Sequence, residues 1–202
     1  MQTVIIKYNA GNIRSVNNAL LRLGYEAVIS DDPEVIRSAD RVIFPGVGEA
    51  SSTMQYLNQS GLADVIRHLK QPVLGICLGM QLMCRHSEEG DVACLGIFDE
   101  PVVKFQIPEP NNQHFKVPHM GWNTITGVKS PLFKPEQEGQ HVYFVHSYYV
   151  PIGVDTAATT NYMQPFSAAL QKGNFFATQF HPEKSGDVGE RILQNFLTAT
   201  NQ

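Results

Sequence analysis

Val73-Leu74-Gly75-Ile76-Cys77-Leu78-Gly79-Met80-Gln81 passes from an unbroken apolar run into a helix-forming one across two glycines. An apolar run without polar alternation reads as a strand buried on both faces, as in a parallel sheet covered by helices. Gly75 and Gly79 stand two places either side of Cys77, the spacing of a nucleophile elbow, which holds a reactive side chain on a strained strand-to-helix turn. The stretch therefore predicts a strand ending at Cys77 and a helix beginning near Met80. The start of that helix favours a thiolate at Cys77, and the Leu78 amide is placed to meet a developing oxyanion. Taken alone, the motif fits a buried core cysteine in a glycine-rich turn equally well.

The segments upstream repeat the alternation. Val4-Ile5-Ile6, Ala27-Val28-Ile29 and Val42-Ile43-Phe44 are further apolar strands. Between the first two, after Asn9-Ala10-Gly11-Asn12, lie Ile13, Val16, Leu20 and Leu23 at helical spacing, closed by Gly24. Leu62, Val65, Ile66 and Leu69 mark another helix. Strand, helix, strand in this order predicts a doubly wound, mostly parallel α/β sheet. From about residue 102 to 180 the character changes to short strand-like runs at 102–105, 115–117, 142–150 and 168–180. The last is broken by the hairpin turn Gln171-Lys172-Gly173-Asn174. These read as antiparallel strands added to the main sheet, plus one small subsidiary sheet. A final amphipathic helix at 189–198 uses Ile192, Leu193, Phe196 and Leu197. No repeat or linker interrupts the chain, so a single domain over 1–202 is expected.

Composition narrows the function. The 202 residues are 43% hydrophobic and 17% charged, with a net charge of -4, an ordinary globular balance. No basic run exceeds two residues, which argues against nucleic acid or a membrane surface as partner. The apolar start is too short and lacks the basic flank of a signal peptide, and no stretch approaches the roughly 20 apolar residues of a membrane span. Cys77, Cys84 and Cys94 form no CxxC pair, so neither a metal site nor a cofactor is expected, and reduced thiols in the cytosol are.

Two more segments suit a cysteine nucleophile. Gln179-Phe180-His181-Pro182-Glu183 follows a buried strand, so His181 can reach a nucleophile on a neighbouring strand end, and Glu183 can fix its tautomer. Pro45-Gly46-Val47-Gly48 follows the third strand, where two glycines let the backbone turn an amide inward as a second oxyanion donor. It is no phosphate loop, since no Gly-Lys-Ser/Thr follows.

Gly75-Ile76-Cys77-Leu78-Gly79-Met80-Gln81 together with Gln179-Phe180-His181-Pro182-Glu183 resembles the class I, triad-type glutamine amidotransferases. Tyr8-Asn9-Ala10-Gly11-Asn12-Ile13-Arg14-Ser15, Pro118-His119-Met120-Gly121-Trp122-Asn123 and Val145-His146-Ser147-Tyr148-Tyr149 are similar to the glutaminase subunits of imidazole glycerol phosphate synthases in histidine biosynthesis. The resemblance covers about residues 3–198. It implies a flavodoxin-like core, the triad Cys77, His181 and Glu183, and release of ammonia from L-glutamine through a thioester. It also implies that Gly46, Val47 and Gly48 form an oxyanion strand that must rearrange, while Leu78, Gln81, Ser147 and Tyr148 line the substrate site. The implied partner is a (βα)8-barrel cyclase in a heterodimer, met by Asn12, Met120, Trp122, Tyr143 and Lys184. The rival readings are the glutaminase of another synthase, such as anthranilate synthase, a stand-alone cysteine amidohydrolase, and a non-catalytic binding domain on the same fold.

Overall fold

The structure, a computed structural model, describes residues 1–8, 12–107 and 115–198. Residues 9–11 of the Tyr8–Ser15 motif lie outside the described residues. In chain order the elements are β1 (Thr3–Ile6), α1 (Ile13–Arg22), β2 (Ala27–Ser30), α2 (Pro33–Ser38), β3 (Arg41–Gly46), α3 (Ala50–Gln59), α4 (Leu62–Arg67), β4 (Val73–Cys77) and α5 (Leu78–Met83). There follow β5 (His86–Ser87), β6 (Val92–Ala93), β7 (Pro101–Lys104), β8 (His119–Thr124), β9 (His141–His146), β10 (Tyr148–Tyr149), β11 (Thr156–Tyr162), β12 (Gln164–Lys172), β13 (Phe175–Thr178) and α6 (Gly186–Thr198).

The main sheet has seven strands in the order β11-β12-β13-β4-β3-β1-β2. Its β2-β1-β3-β4-β13 part is parallel throughout, a flavodoxin-like doubly wound order. β12 and β11 extend it in antiparallel fashion, and the expected hairpin turns at Gly173, whose φ is +56°. Side chains alternate across the sheet into two cores. Val4, Val42, Phe44 and Val73 pack under α2–α5, while Ile5, Ile43, Leu74 and Ile76 pack under α1 and α6. No helix among the described residues is long and apolar enough to cross a membrane.

Several expectations need correction. β2 is an edge strand, so Val28 and Ile29 are each 41% exposed rather than buried on both faces. β3 runs on through Pro45 and Gly46, paired to Ile76 and Cys77, so only Val47 and Gly48 of that segment lie beyond the strand. Residues 115–117 are not a strand, and the 142–150 run breaks at Ser147 into β9 and β10. Among the described residues there are two subsidiary sheets rather than one, β10-β7-β5-β6 and the β8-β9 ribbon.

Three glycines set where α5 sits on the sheet. A methyl group at Gly79 would overlap the carbonyl oxygen of Phe44 on β3. One at Gly75 would lie 2.9 Å from Met83 Sδ, and one at Gly46 would lie 2.5 Å from the Tyr8 hydroxyl and 2.8 Å from Leu78 Cβ. Backbone thus meets backbone beneath the elbow, and α5 starts at Leu78, immediately after β4, rather than near Met80. Gly79→Ala is expected to lower unfolding free energy by about 1–3 kcal/mol or more, as overpacking does, read as an earlier urea midpoint. A midpoint within error of wild type would show that α5 can lift off the sheet without penalty.

Candidate active site

The three segments that sequence reasoning selected converge at the carboxyl ends of β3, β4 and β13, where open α/β sheets place their ligand sites. Cys77 has φ +54° and ψ −107°. A side-chain-bearing residue there carries roughly 1–3 kcal/mol of strain. That backbone turn lifts the side chain off the sheet end, leaving Sγ 3.8 Å from the Val145 carbonyl. Leu78 opens α5, so its amide is one of the donors that the first helical turn leaves without an intrahelical partner.

His181 is carried three residues beyond β13 and is held by its backbone. Its amide donates to Tyr143 O on β9 at 2.9 Å, and its carbonyl accepts from Ser185 Oγ at 2.7 Å. A short 3-10 turn, Pro182–Lys184, then brings Glu183 back beneath the ring. His181 Nδ1 lies 2.7 Å from Glu183 Oε1, and both side chains are completely shielded from solvent. Asn12 occupies the cap position of α1, yet its side chain makes no capping bond. Its amide donates instead to the same Glu183 oxygen and lies 3.3 Å from His181 Nδ1. Because a carboxylate only accepts, Nδ1 carries a proton. Nε2, which among the described residues has no partner of regular hydrogen-bond geometry, is the nitrogen left for Cys77. Burial pulls the imidazole pKa down, but the charge and hydrogen bonding of a Cys77 thiolate, followed by those of Glu183, outweigh it and hold His181 at about 10. The geometry sets the imidazole between the Cys77 sulfur and the Glu183 carboxyl group.

A cavity of about 300 Å³ opens beside Cys77. Its walls come from Val47 and Gly48 after β3, Leu78 and Gln81 on α5, Glu89, Pro118, and the stretch Val145, His146, Ser147 and Tyr148. A pocket with few polar groups and one nucleophile at its floor suits a small polar substrate. Gln81 is 4% exposed, and its amide nitrogen donates to Tyr148 O and to Gln179 Oε1, at 3.0 Å each. Both amide hydrogens being engaged, its oxygen is what it offers a ligand.

At this wall two buried histidines pair, His119 Nδ1 to His146 Nε2 at 3.0 Å. His119 also stacks between Phe144 and Tyr162. Burial pushes the imidazole of His119 down to about 4 and that of His146 to about 3. Both are neutral at pH 7.

The sequence profile described as glutamine amidotransferase class-I matches residues 4–200. This chain belongs to that family. Relatives of this amidotransferase include the imidazole glycerol phosphate synthase subunit HisH of Bacteroides fragilis, 64% identical over 98% of this chain and 99% of its own length. The HisH subunit of Escherichia coli K12 is 45% identical over the same shares. Among solved structures, one described as a glutamine amidotransferase, 20% identical, covers 96% of each chain with a TM-score of 0.72. PurLQS from Thermotoga maritima, 16% identical, covers 97% of each at 0.69. At these identities the likeness concerns the fold.

In this amidotransferase the structure gathers Cys77, His181, Glu183, Val47, Gly48, Leu78, Gln81, Ser147 and Tyr148 in one place. Gly46 lies under the pocket as part of β3. Of the expected interface residues, Met120 and Trp122 are 63% and 56% exposed on the outer face of the β8-β9 ribbon, with Tyr143 against Trp122 and Lys184 exposed nearby. Asn12 lies at the start of α1. It is 5% exposed, its amide turned inward to Glu183, because the start of α1 packs against the turn that carries that carboxylate. Sequence reasoning passed over Gln179, whose Nε2 lies 3.8 Å from Cys77 Sγ, and Glu89, Val145 and Tyr8 as well. Gln179 adjoins the His-Pro-Glu motif, a signal that could have marked it.

The neutral histidine pair has a consequence for acid stability. Both imidazoles titrate near 6.5 when unfolded and far lower when folded. Between pH 6.5 and about 4 the unfolded chain therefore binds more protons, and stability falls as pH falls. Urea unfolding at pH 6.5, 5.5 and 4.5 should show this decline, and a smaller decline between 6.5 and 5.5 in His146→Gln. The same slope in both proteins would contradict the burial argument.

Proposed function

We propose that this amidotransferase is the glutaminase subunit of an imidazole glycerol phosphate synthase, hydrolysing L-glutamine in the cytosol and passing ammonia to a (βα)8-barrel cyclase. The observation that carries the chemistry is the buried line from Cys77 through His181 to Glu183, with the cavity beside the sulfur. Full-length identity to subunits bearing the HisH name supports the choice of synthase.

In this reading Cys77 Sγ attacks the side-chain amide carbon of glutamine, and the Leu78 amide faces the oxyanion. His181 Nε2 gives its proton to the departing nitrogen as the C–N bond breaks, leaving a thioester and ammonia. The ring then takes a proton from water as water attacks the thioester. The C–S bond breaks, and glutamate and the thiolate–imidazolium pair are restored. Glu183, steadied by Asn12, keeps the Nδ1 proton in place. Glu89 Oε2 accepts from the Ala50 amide at 2.9 Å, and the carboxylate on the pocket wall provides a counter-charge for the substrate's ammonium. Met120 and Trp122 form the exposed apolar centre of the cyclase contact.

Cys77→Ala is expected to lose glutaminase turnover by about 10⁴-fold or more. His181→Ala should lose nearly as much and Glu183→Gln less. Ammonia supplied directly to the complex with the cyclase should restore synthesis in all three. Wild-type turnover in Cys77→Ala would reject the nucleophile.

Gly48 has φ +125°, a conformation open to glycine, so the Val47–Gly48 backbone can turn its amide toward or away from the pocket. With only the Leu78 donor in place, one missing oxyanion contact costs about 10²–10³ in rate. The chain alone is therefore expected to be a slow glutaminase, accelerated by the cyclase and further by cyclase with an acceptor analogue. Equal turnover numbers in the three states would favour a stand-alone hydrolase.

A further inference from the structure

One hydrogen-bond chain links the histidine pair to the sulfur, and the chemistry of its members leaves its direction no freedom. The Tyr148 carbonyl can only accept. It takes His146 Nδ1–H at 2.7 Å and Gln81 Nε2–H at 3.0 Å, one donor for each lone pair. With Nδ1 protonated, neutral His146 must accept at Nε2, where His119 Nδ1 donates at 3.0 Å. His119 Nε2 in turn accepts from the Asn123 amide at 3.4 Å. On the other side, the second Gln81 hydrogen goes to Gln179 Oε1 at 3.0 Å. The oxygen of Gln179 is thereby turned away from Cys77, and its NH2 group faces Sγ at 3.8 Å. Reversing that amide would set Gln179 nitrogen against Gln81 nitrogen and aim an oxygen at the sulfur.

Gln179 has no other place to go. It is completely buried, and its backbone amide donates to Ala168 O on β12 at 2.8 Å. Its partner Gln81 is rooted in α5, one turn after the elbow.

We infer that Gln179 is a catalytic residue of this site, its carboxamide N–H serving as a hydrogen-bond donor to Cys77 sulfur. A donor aimed at sulfur favours the thiolate over the thiol, which raises the nucleophile's population. It acts again when the thioester collapses, because the C–S bond then breaks toward a thiolate. Gln81, Tyr148 O and the His119–His146 pair are positioning groups that prevent the amide from reversing. The proposal rests on Cys77 being the nucleophile.

The test reads the sulfur directly. Cys77 in the purified chain is alkylated with iodoacetamide across pH 4–10 and quantified by mass spectrometry. Glutaminase activity and ammonia-driven synthesis are measured on the complex with the cyclase. Among the described residues, the titratable groups facing Cys77 are His181, with Glu183 behind it, Tyr8, and His146, Tyr148 and Glu89 on the pocket wall. None of these is substituted, and Gln179→Met adds no titratable group. Gln179→Glu keeps the acceptor for Gln81 but replaces the donors to sulfur with a carboxyl group whose charge also disfavours the thiolate, while Gln179→Met removes donor and acceptor without adding charge and is the deciding variant. Each should raise the midpoint of alkylation by about one pH unit, the scale of one hydrogen bond to a charged group, with the larger rise in Gln179→Glu. In the complex kcat should fall about tenfold or more with KM little changed, and ammonia-driven synthesis should be untouched. Gln81→Leu, which releases the Gln179 amide to reverse, should move the midpoint the same way and serves if the Gln179 variants do not fold. A wild-type midpoint in a folded Gln179 variant overturns the proposal, even if kcat falls, because Gln179 would then be structural. If the Gln179 variants do not fold, a wild-type midpoint in Gln81→Leu overturns it. Failure of the nucleophile reading would show separately, as retained turnover in Cys77→Ala.

Discussion

The contact between Gly79 and the Phe44 carbonyl is the constraint from which the site follows. It lets α5 settle onto β3 with no side chain between them, and so forces the chain to turn within one residue at the end of β4. Cys77 takes that turn at φ +54°. The cost of placing a side chain there is borne by the two cores, whose fully buried Phe44, Phe180 and Phe196 each bury large apolar surface. With the elbow fixed, the sulfur, the first amide of α5 and the Gln81 side chain have fixed mutual positions, all on short rigid elements.

The second support is electrostatic. The Cys77 sulfur and the Glu183 carboxyl group flank one imidazole, and the His181 and Glu183 side chains are shielded from solvent, a setting in which charges are felt more strongly than in water. Neither Glu183 nor Asn12 touches the pocket. They act through the Nδ1 proton, as second-sphere groups do in metal and serine sites. The sequence pair His181 and Glu183 can be close because Pro182 begins a 3-10 turn, which folds the carboxylate back under the ring.

Much of this was readable in the amino-acid sequence where the signal is local. The elbow spacing, the His-Pro-Glu turn and the apolar runs of β1, β3 and β4 depend on neighbours within a few positions. The seams lay where tertiary context decides. β2 has the same apolar lettering as β1, but lies at the sheet edge, which lettering cannot reveal. β11 is built from Thr-Ala-Ala-Thr-Thr-Asn-Tyr, small and polar residues that become a strand only against β12. The link of Asn12 to the triad was not legible, because Glu183 lies 171 positions away in sequence. In the fold that carboxylate draws the Asn12 amide inward. Gln179 drew no attention because its meaning comes from Gln81 and Tyr148, 98 and 31 positions away in sequence.

Along β8 the residues alternate, with Met120 and Trp122 turned to solvent and His119 and Asn123 turned toward the aromatic core and the hydrogen-bond chain. Two surfaces of different purpose are thus interleaved on six residues. Evolution can rewrite the outer positions one at a time, adapting the face to a changing neighbour without disturbing the inner ones. A single-residue insertion or deletion has no such licence. It would exchange the two sets at a stroke, burying Trp122 where His119 belongs and exposing the imidazole, so this short strand should hold its length across lineages even where its outward letters drift.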